Sequence, residues 1–265
     1  MGAFENDTTI GLVGGMGPQA GLTLFNYILR KTEARVDQDH LSTMLMSFPK
    51  HIVDRTAFLK GKETVNPALS IVKVIRKLEI AGAKVIGIAC NTSHAPEIYD
   101  VILGELDKTG SQVNLVHMPL AACKSIAEIH PQARRVGLMT SNGTYDSGLY
   151  ASLLREMGYH VVLPDPDFQN EVIHRMIYDA EYGLKKNVKE VSAEVWGLMN
   201  KALTFFEEQR TDVIILGCTD FSIMNIQAIA NDIFIIDSSE ALASALIKEA
   251  TNTNKMIVNN VFSKI

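Results

Sequence analysis

The stretch IGLVGGMGPQAG from Ile10 returns in altered form as VGLMTSNGTYDSG from Val136, and AKVIGIACNTS from Ala83 returns as TDVIILGCTDFS from Thr211. The offsets nearly agree, 126 residues from Gly11 to Gly137 and 128 from Cys90 to Cys218. One echo alone is weak, because strands followed by glycine are common. Two echoes in the same order at the same offset point to two similar halves. Each half then carries a Gly-rich turn after its first strand and a Cys-Thr turn after its third.

Short β-branched or aliphatic runs alternate with segments of helical period, the pattern of a parallel sheet covered by helices. Strands are expected at 9–13, 43–48, 84–89, 114–117, 135–139, 159–163, 212–216 and 233–236. A helix is expected over 67–81 from Leu69, Val72, Ile75, Leu78 and Ile80. Pro96 suits the first turn of another, and Ser238-Ser239-Glu240 supplies capping residues for the last. The expected fold class is α/β, with two pseudosymmetric lobes, each a four-stranded parallel sheet flanked by helices, and the site in the cleft between them. The first lobe is read as 1–117 and the second as 118–237, with a C-terminal helix over about 238–265 packing back on the first.

Thirty acidic residues against 25 basic ones leave no basic stripe to release counterions, which argues against nucleic-acid and anionic-membrane partners. Three cysteines are too few for a disulfide scaffold and suit a reducing, cytoplasmic setting. The start, MGAFENDTTIG, lacks the basic and apolar regions of a signal peptide, and no apolar run matches a bilayer. No histidine falls in an H-E-x-x-H or Cys/His spacing, so no metal is expected.

Ligands of open parallel sheets bind beyond the carboxyl ends of the strands. Each matched turn leaves a strand there and is expected to enter a helix whose first amides are free to bind anions. With the lobes face to face, Cys90 and Cys218 enter one cleft from opposite sides. A single cysteine is ordinarily a small buried hydrophobe, and Cys123, in LAACKSIAEI, keeps that reading. Duplication reverses it for the other two, and a helix N-terminus lowers a thiol pKa. One thiol on each face of a ligand suits stereoinversion at carbon: a thiolate removes a proton from one face and a thiol returns one to the other. A carbanion beside a carboxylate also needs preorganised polar groups, among them Thr92 and Thr219 close behind the cysteines.

GGMGP at 14–18, ACNTSH at 89–94 and LGCTDF at 216–221 resemble the signature turns of the aspartate/glutamate racemase superfamily. The chain is most similar to its cofactor-independent aspartate racemase branch, from about Thr9 to Ala250. The resemblance implies racemisation of aspartate, with glutamate next, without PLP or another cofactor. It implies that Cys218 takes the proton of the L-enantiomer and Cys90 that of the D-enantiomer. Val53-Asp54-Arg55-Thr56 resembles a motif whose arginine binds a substrate carboxylate, a role that suits a planar guanidinium. Gly183-Leu184-Lys185 resembles a Gly-Ile-Lys motif and makes Lys185 the second cation. Thr144, in the Asn142-Gly143-Thr144 turn, is implied in holding the α-carboxylate. Asn91, Thr92, Thr219 and the backbone amides of Met16 and Gly17 complete the implied substrate site, and a homodimer is the implied assembly.

The chain departs from its relatives at Ser47-Phe48-Pro49, where many have Asn-Asn-Pro, and at Thr219-Asp220, where many have Thr-Glu or Thr-His. Asp220 reads equally well as orienting the thiol and as capping a helix. Taken alone, Arg55 and Lys185 are ordinary solvated charges, and His94 and His117 ordinary structural histidines. A rival reading takes Gly15–Ala20 as the dinucleotide fingerprint G-x-G-x-x-A, but the second strand ends Met46-Ser47-Phe48-Pro49 without the acid a ribose requires. Maleate isomerases and hydantoin racemases are rivals within the superfamily, and a non-catalytic amino-acid sensor or a thiol redox switch is a rival outside enzymology.

Overall fold

The computed structural model describes residues 8–186, 190–224 and 226–262; residues 1–7 of the expected first lobe and 263–265 of the expected last helix lie outside them. Strands β1 (Thr9–Gly14), β2 (Thr43–Ser47), β3 (Ala83–Ile88) and β4 (Asn114–Val116) form a parallel sheet in the order β2-β1-β3-β4. Strands β5 (Arg135–Thr140), β6 (His160–Val162), β7 (Val213–Gly217) and β8 (Phe234–Asp237) form a second in the corresponding order β6-β5-β7-β8. Each strand matches its expected position to within one residue at either end. The duplication seen in the sequence is thus a duplicated topology.

The α-helices are α1 (Pro18–Lys31), α2 (Arg55–Leu59), α3 (Ala68–Ile80), α4 (Pro96–Lys108), α5 (Met118–Ile129), α6 (Asn142–Asp146), α7 (Leu149–Glu156), α8 (Pro166–Phe168), α9 (Arg175–Tyr178), α10 (Ala193–Glu208) and α11 (Ser238–Phe262). A π-helical turn, Gln169–His174, joins α8 to α9. No helix among the described residues is long and apolar enough to cross a membrane. Helix α3 corrects the expected apolar face: Ile71, Ile75 and Leu78 are buried, but Leu69 and Ile80 are exposed. At 100° per residue these two lie opposite the centre of the buried stripe.

Side chains alternate between the two faces of each buried strand. In the first sheet, Val13, Ile86 and Ile88 pack under α3 and α4, and Ile10, Leu12, Val85 and Ala89 under α1 and α11. In the second, Met139, Ile214 and Leu216 meet α10, and Val136, Leu138, Val213 and Ile215 meet α5 and α7. The helix that follows each fourth strand therefore crosses to the other sheet. Ala122, Cys123 and Ile126 of α5 join the second sheet's core, and Leu242, Ala243 and Leu246 of α11 join the first sheet's. This exchange fastens the lobes together and turns the carboxyl ends of β3 and β7 toward a common cleft.

Leu246 is fully buried, and at Gly87 of β3 a Cβ would lie 2.8 Å from its Cδ1, so helix and sheet are in close contact. Leu246→Ala should destabilise the fold by about 2–5 kcal/mol, the range for a buried leucine that leaves a cavity. Urea denaturation measures this, and a change below about 0.5 kcal/mol, the size of an ordinary surface substitution, would contradict the packing described.

Candidate active site

Cys90 follows β3 and Cys218 follows β7, and each precedes a 3-10 turn, Asn91–His94 and Thr219–Ile223 respectively. This corrects the expectation that a helix begins directly after each cysteine. Ala95 is held extended before Pro96, so α4 cannot continue back through the turn. After the second turn Met224 is extended, and among the described residues no α-helix intervenes before β8. No α-helix N-terminus therefore adjoins either thiol among the described residues. At Cys218 the pKa is shifted upward, by burial and then by the charge of Asp220.

The two thiols, 5% and 9% exposed as whole residues, line one pocket together with Met16, Arg55, Asn91, Thr92, Ser141, Tyr178, Lys185, Thr219 and Asp220. Its volume is about 10 Å³, room for roughly one water molecule. The cleft is closed in this conformation and must widen to admit anything larger.

Arg55 opens α2, whose first turn is capped by Asp54 through a 2.8 Å bond from the Ala57 amide to Oδ1. Arg55 is 6% exposed as a whole residue, and its guanidinium donates to the carbonyls of Met16 (3.0 Å) and Val53 (3.2 Å). Its Nε has no hydrogen-bond partner among the described residues. Burial opposes the charge, but Cys90 and Asp54 outweigh it and raise the pKa above that of free arginine.

Lys185 is carried by a loop that folds back on α9, with the amides of Leu184 and Lys185 bonded to the carbonyls of Met176 and Ile177. The loop requires Gly183, where a Cβ would fall 2.6 Å from the nitrogen of Asp179 and 2.7 Å from its carbonyl oxygen. The Lys185 ammonium donates to Asp220 Oδ2 at 2.7 Å and stands 5.1 Å from the centroid of the Tyr178 ring. Burial disfavours its charge, but Asp220 and Cys218 hold the pKa above that of free lysine. The same Oδ2 accepts from the Cys218 thiol at 3.4 Å. Tyr178 OH donates to Asp54 Oδ2 at 3.0 Å and so joins the Lys185 side of the cleft to the Arg55 side.

Three hydroxyls also meet across the lobes. Thr92 Oγ1 lies 3.1 Å from Ser141 Oγ and 2.9 Å from Thr144 Oγ1, and the last two are 3.4 Å apart. Gly143 permits this approach: a Cβ there would sit 2.7 Å from Thr56 Oγ1 and 2.9 Å from Thr92 Cγ2. If the closed cleft is the working state, Gly143→Ala should lower kcat/KM about 10²-fold, the cost of roughly 1 Å of misplacement. The control is Gly104→Ala, where a Cβ has nothing within 4 Å. Equal activity in the two variants would show that closure is not needed.

Of the residues singled out from the sequence, Met16, Arg55, Cys90, Asn91, Thr92, Lys185, Cys218 and Thr219 line the pocket, and Gly17 and Thr144 do not. Thr144 lies behind Thr92. Gly17 caps α1 half-exposed. The Asn91 side chain is engaged elsewhere, donating to Ser238 Oγ at 2.9 Å and accepting from Tyr150 OH at 2.6 Å. Sequence reasoning missed Ser141 and Tyr178 and left Asp220 undecided. Ser141 had a signal in its place just before the duplicated Asn-Gly-Thr turn; Tyr178 had none.

His94 stays outside the pocket. Burial and the neighbouring His117 push its pKa down to about 3. Its Nε2 accepts from the Met118 amide at 3.3 Å, which leaves Nδ1 to donate to the Cys90 carbonyl at 2.9 Å. It thus pegs the first cysteine turn to the start of α5. Cys123 is fully buried in the second sheet's core, and burial raises its thiol to about 12, so it has the environment of an inert hydrophobe.

The sequence profile described as Asp/Glu/hydantoin racemase matches residues 13–246. Among solved structures, the chain is similar to the aspartate racemase of Picrophilus torridus, with 28% identity over 92% of this chain and 94% of that one and a TM-score of 0.72. An aspartate racemase homologue from Pyrococcus horikoshii shares the fold at 22% identity, covering 92% of this chain and 99% of that one, with a TM-score of 0.67. A glutamate racemase from Bacillus anthracis does so at 18% identity, covering 94% and 83%, with a TM-score of 0.65.

Proposed function

The chain belongs to the Asp/Glu/hydantoin racemase family, and from that premise we propose that it is a cofactor-independent amino-acid racemase acting on aspartate, with glutamate next. The observation that carries this reading is the pair of thiols, Cys90 and Cys218, at equivalent ends of duplicated strands and lining one pocket. One thiolate removes the Cα proton and the opposite thiol delivers a proton to the other face, so the products differ from the substrate only in configuration. Cys218 works on the L-enantiomer and Cys90 on the D-enantiomer. Arg55 and Lys185 take the carboxylates, Thr92 and Thr219, with the backbone at Met16, stabilise the charge that builds up at Cα, and Thr144 and Gly17 support them from outside the pocket lining, Thr144 through its 2.9 Å hydroxyl contact with Thr92. The buried Nε of Arg55, without a hydrogen-bond partner among the described residues, supports a ligand anion beside it. A buried arginine and a lysine also favour an acidic amino acid over hydantoin, which has no side-chain acid. The reading includes a cytoplasmic homodimer; three free cysteines suit that compartment.

The test uses protein in reductant, without PLP or metal, and a panel of L-amino acids in D₂O. Proton NMR follows loss of the Cα–H signal, and chiral chromatography follows configuration. Exchange with inversion of aspartate or glutamate is the expected result. Silence across the panel rejects the proposal in favour of a maleate- or hydantoin-type substrate, and binding without exchange rejects it in favour of a sensor.

A further inference from the structure

Asp220 is the one carboxylate lining the pocket among the described residues, and its side chain is 8% exposed. Its two hydrogen bonds, from Lys185 Nζ and from Cys218 Sγ, both end on Oδ2. Oδ1 accepts none from any described residue. Once a ligand excludes water from the cleft, an Oδ1 with no protein donor must be bonded by that ligand or lose its hydration uncompensated.

An amino acid entering the closed cleft brings an ammonium with three N–H groups, and that charge also needs an acceptor once water is excluded. Most of the other acceptors nearby already take a donor, and the Thr219 hydroxyl, which lines the pocket, carries no charge to set against the ammonium. Asn91 Oδ1 takes the Tyr150 hydroxyl, the Met16 carbonyl takes Arg55, and the Thr92 and Ser141 hydroxyls bond each other. The fixed charges of the pocket are two cations, Arg55 and Lys185, and one anion, Asp220. Aspartate carries the complementary set, two carboxylates and one ammonium.

We propose that Asp220 receives the substrate's ammonium on Oδ1 while Oδ2 keeps its bond to Lys185. Asp220 is then the residue that selects an amino dicarboxylate over a plain dicarboxylate. Succinate or maleate satisfies Arg55 and Lys185 but leaves Oδ1 unbonded beside an added negative charge.

The inference rests on the proposed function above, and calorimetry separates the two. Wild-type protein and Asp220→Asn are titrated with equilibrated racemic aspartate and with succinate; racemic glutamate and glutarate serve as a second pair. Wild type should bind the amino acid at least about 10-fold more tightly than its deaminated partner, and Asp220→Asn should lose about 10- to 100-fold for the amino acid only, the range for a hydrogen bond to a charged group. Succinate should bind the variant equally well or better. Equal losses for both ligands would make Asp220 merely the counter-ion of Lys185 and overturn the proposal, as would undiminished aspartate binding. If Asp220→Asn does not fold, the wild-type ratio decides, and a ratio near one overturns the proposal. Wild-type protein that binds none of the four ligands overturns the proposed function and this inference with it.

Discussion

Cys90→Ala and Cys218→Ala should each lose racemisation by about 10³-fold or more, within or beyond the range contributed by a positioned general acid or base. The physical reason is that inversion uses both faces of Cα in every turnover, so a single remaining thiol cannot complete the cycle. It can still complete half. With Cys218 alone, the L-enantiomer should exchange its Cα–H with solvent and the D-enantiomer should not; with Cys90 alone, the preference reverses. Proton NMR of each pure enantiomer in D₂O reads this directly. Cys123→Ala is the control, because that thiol sits in the core away from the pocket. Wild-type rates in both single variants would end the two-base mechanism. Exchange of both enantiomers by either variant would end the facial assignment.

Arg55→Ala should reduce kcat/KM for aspartate by about 10²–10³-fold, as expected from losing more than one charge-assisted hydrogen bond. The variant also frees the carbonyls of Met16 and Val53, so some loss of thermal stability accompanies it. Substrate preference distinguishes the two effects. A clamp for the substrate's acids makes the loss far greater for aspartate and glutamate than for any neutral amino acid turned over at all. Equal losses would mean that Arg55 only props the turn at Met16. Arg55→Lys keeps the charge but not the planar fork, and should recover only part of the loss.

Both predictions start from features visible in the chain itself, yet how a residue announces itself differs. Cys90 and Cys218 are legible because they occupy duplicated positions, and the expected strands agree because buried parallel strands leave unbroken aliphatic runs. Arg55 has no such local signal; only its motif separates it from a solvated surface arginine, and only the fold buries it. Lys185 was legible as a second cation but not as a cation already paired. Its partner, Asp220, lies 35 residues along the chain. Tyr178 carries no pattern at all and enters the site because α9 and the loop after it fold over the cleft beside Asp54.

Hydrophobic periodicity and a repeated spacing of near 127 residues therefore determined the fold class, the strand positions and the two cysteine turns, because these depend on local pattern and on comparing the chain with itself. Tertiary structure decided the rest. It set the exchange of α5 and α11 between the sheets, the 3-10 turns that follow the thiols in place of α-helices, the three hydroxyls that meet across Gly143, and the sharing of Asp220 between Lys185 and Cys218. Each of these depends on which distant segments come into contact and how closely, and hydrogen bonds and charge pairs made across such contacts leave no period in a sequence.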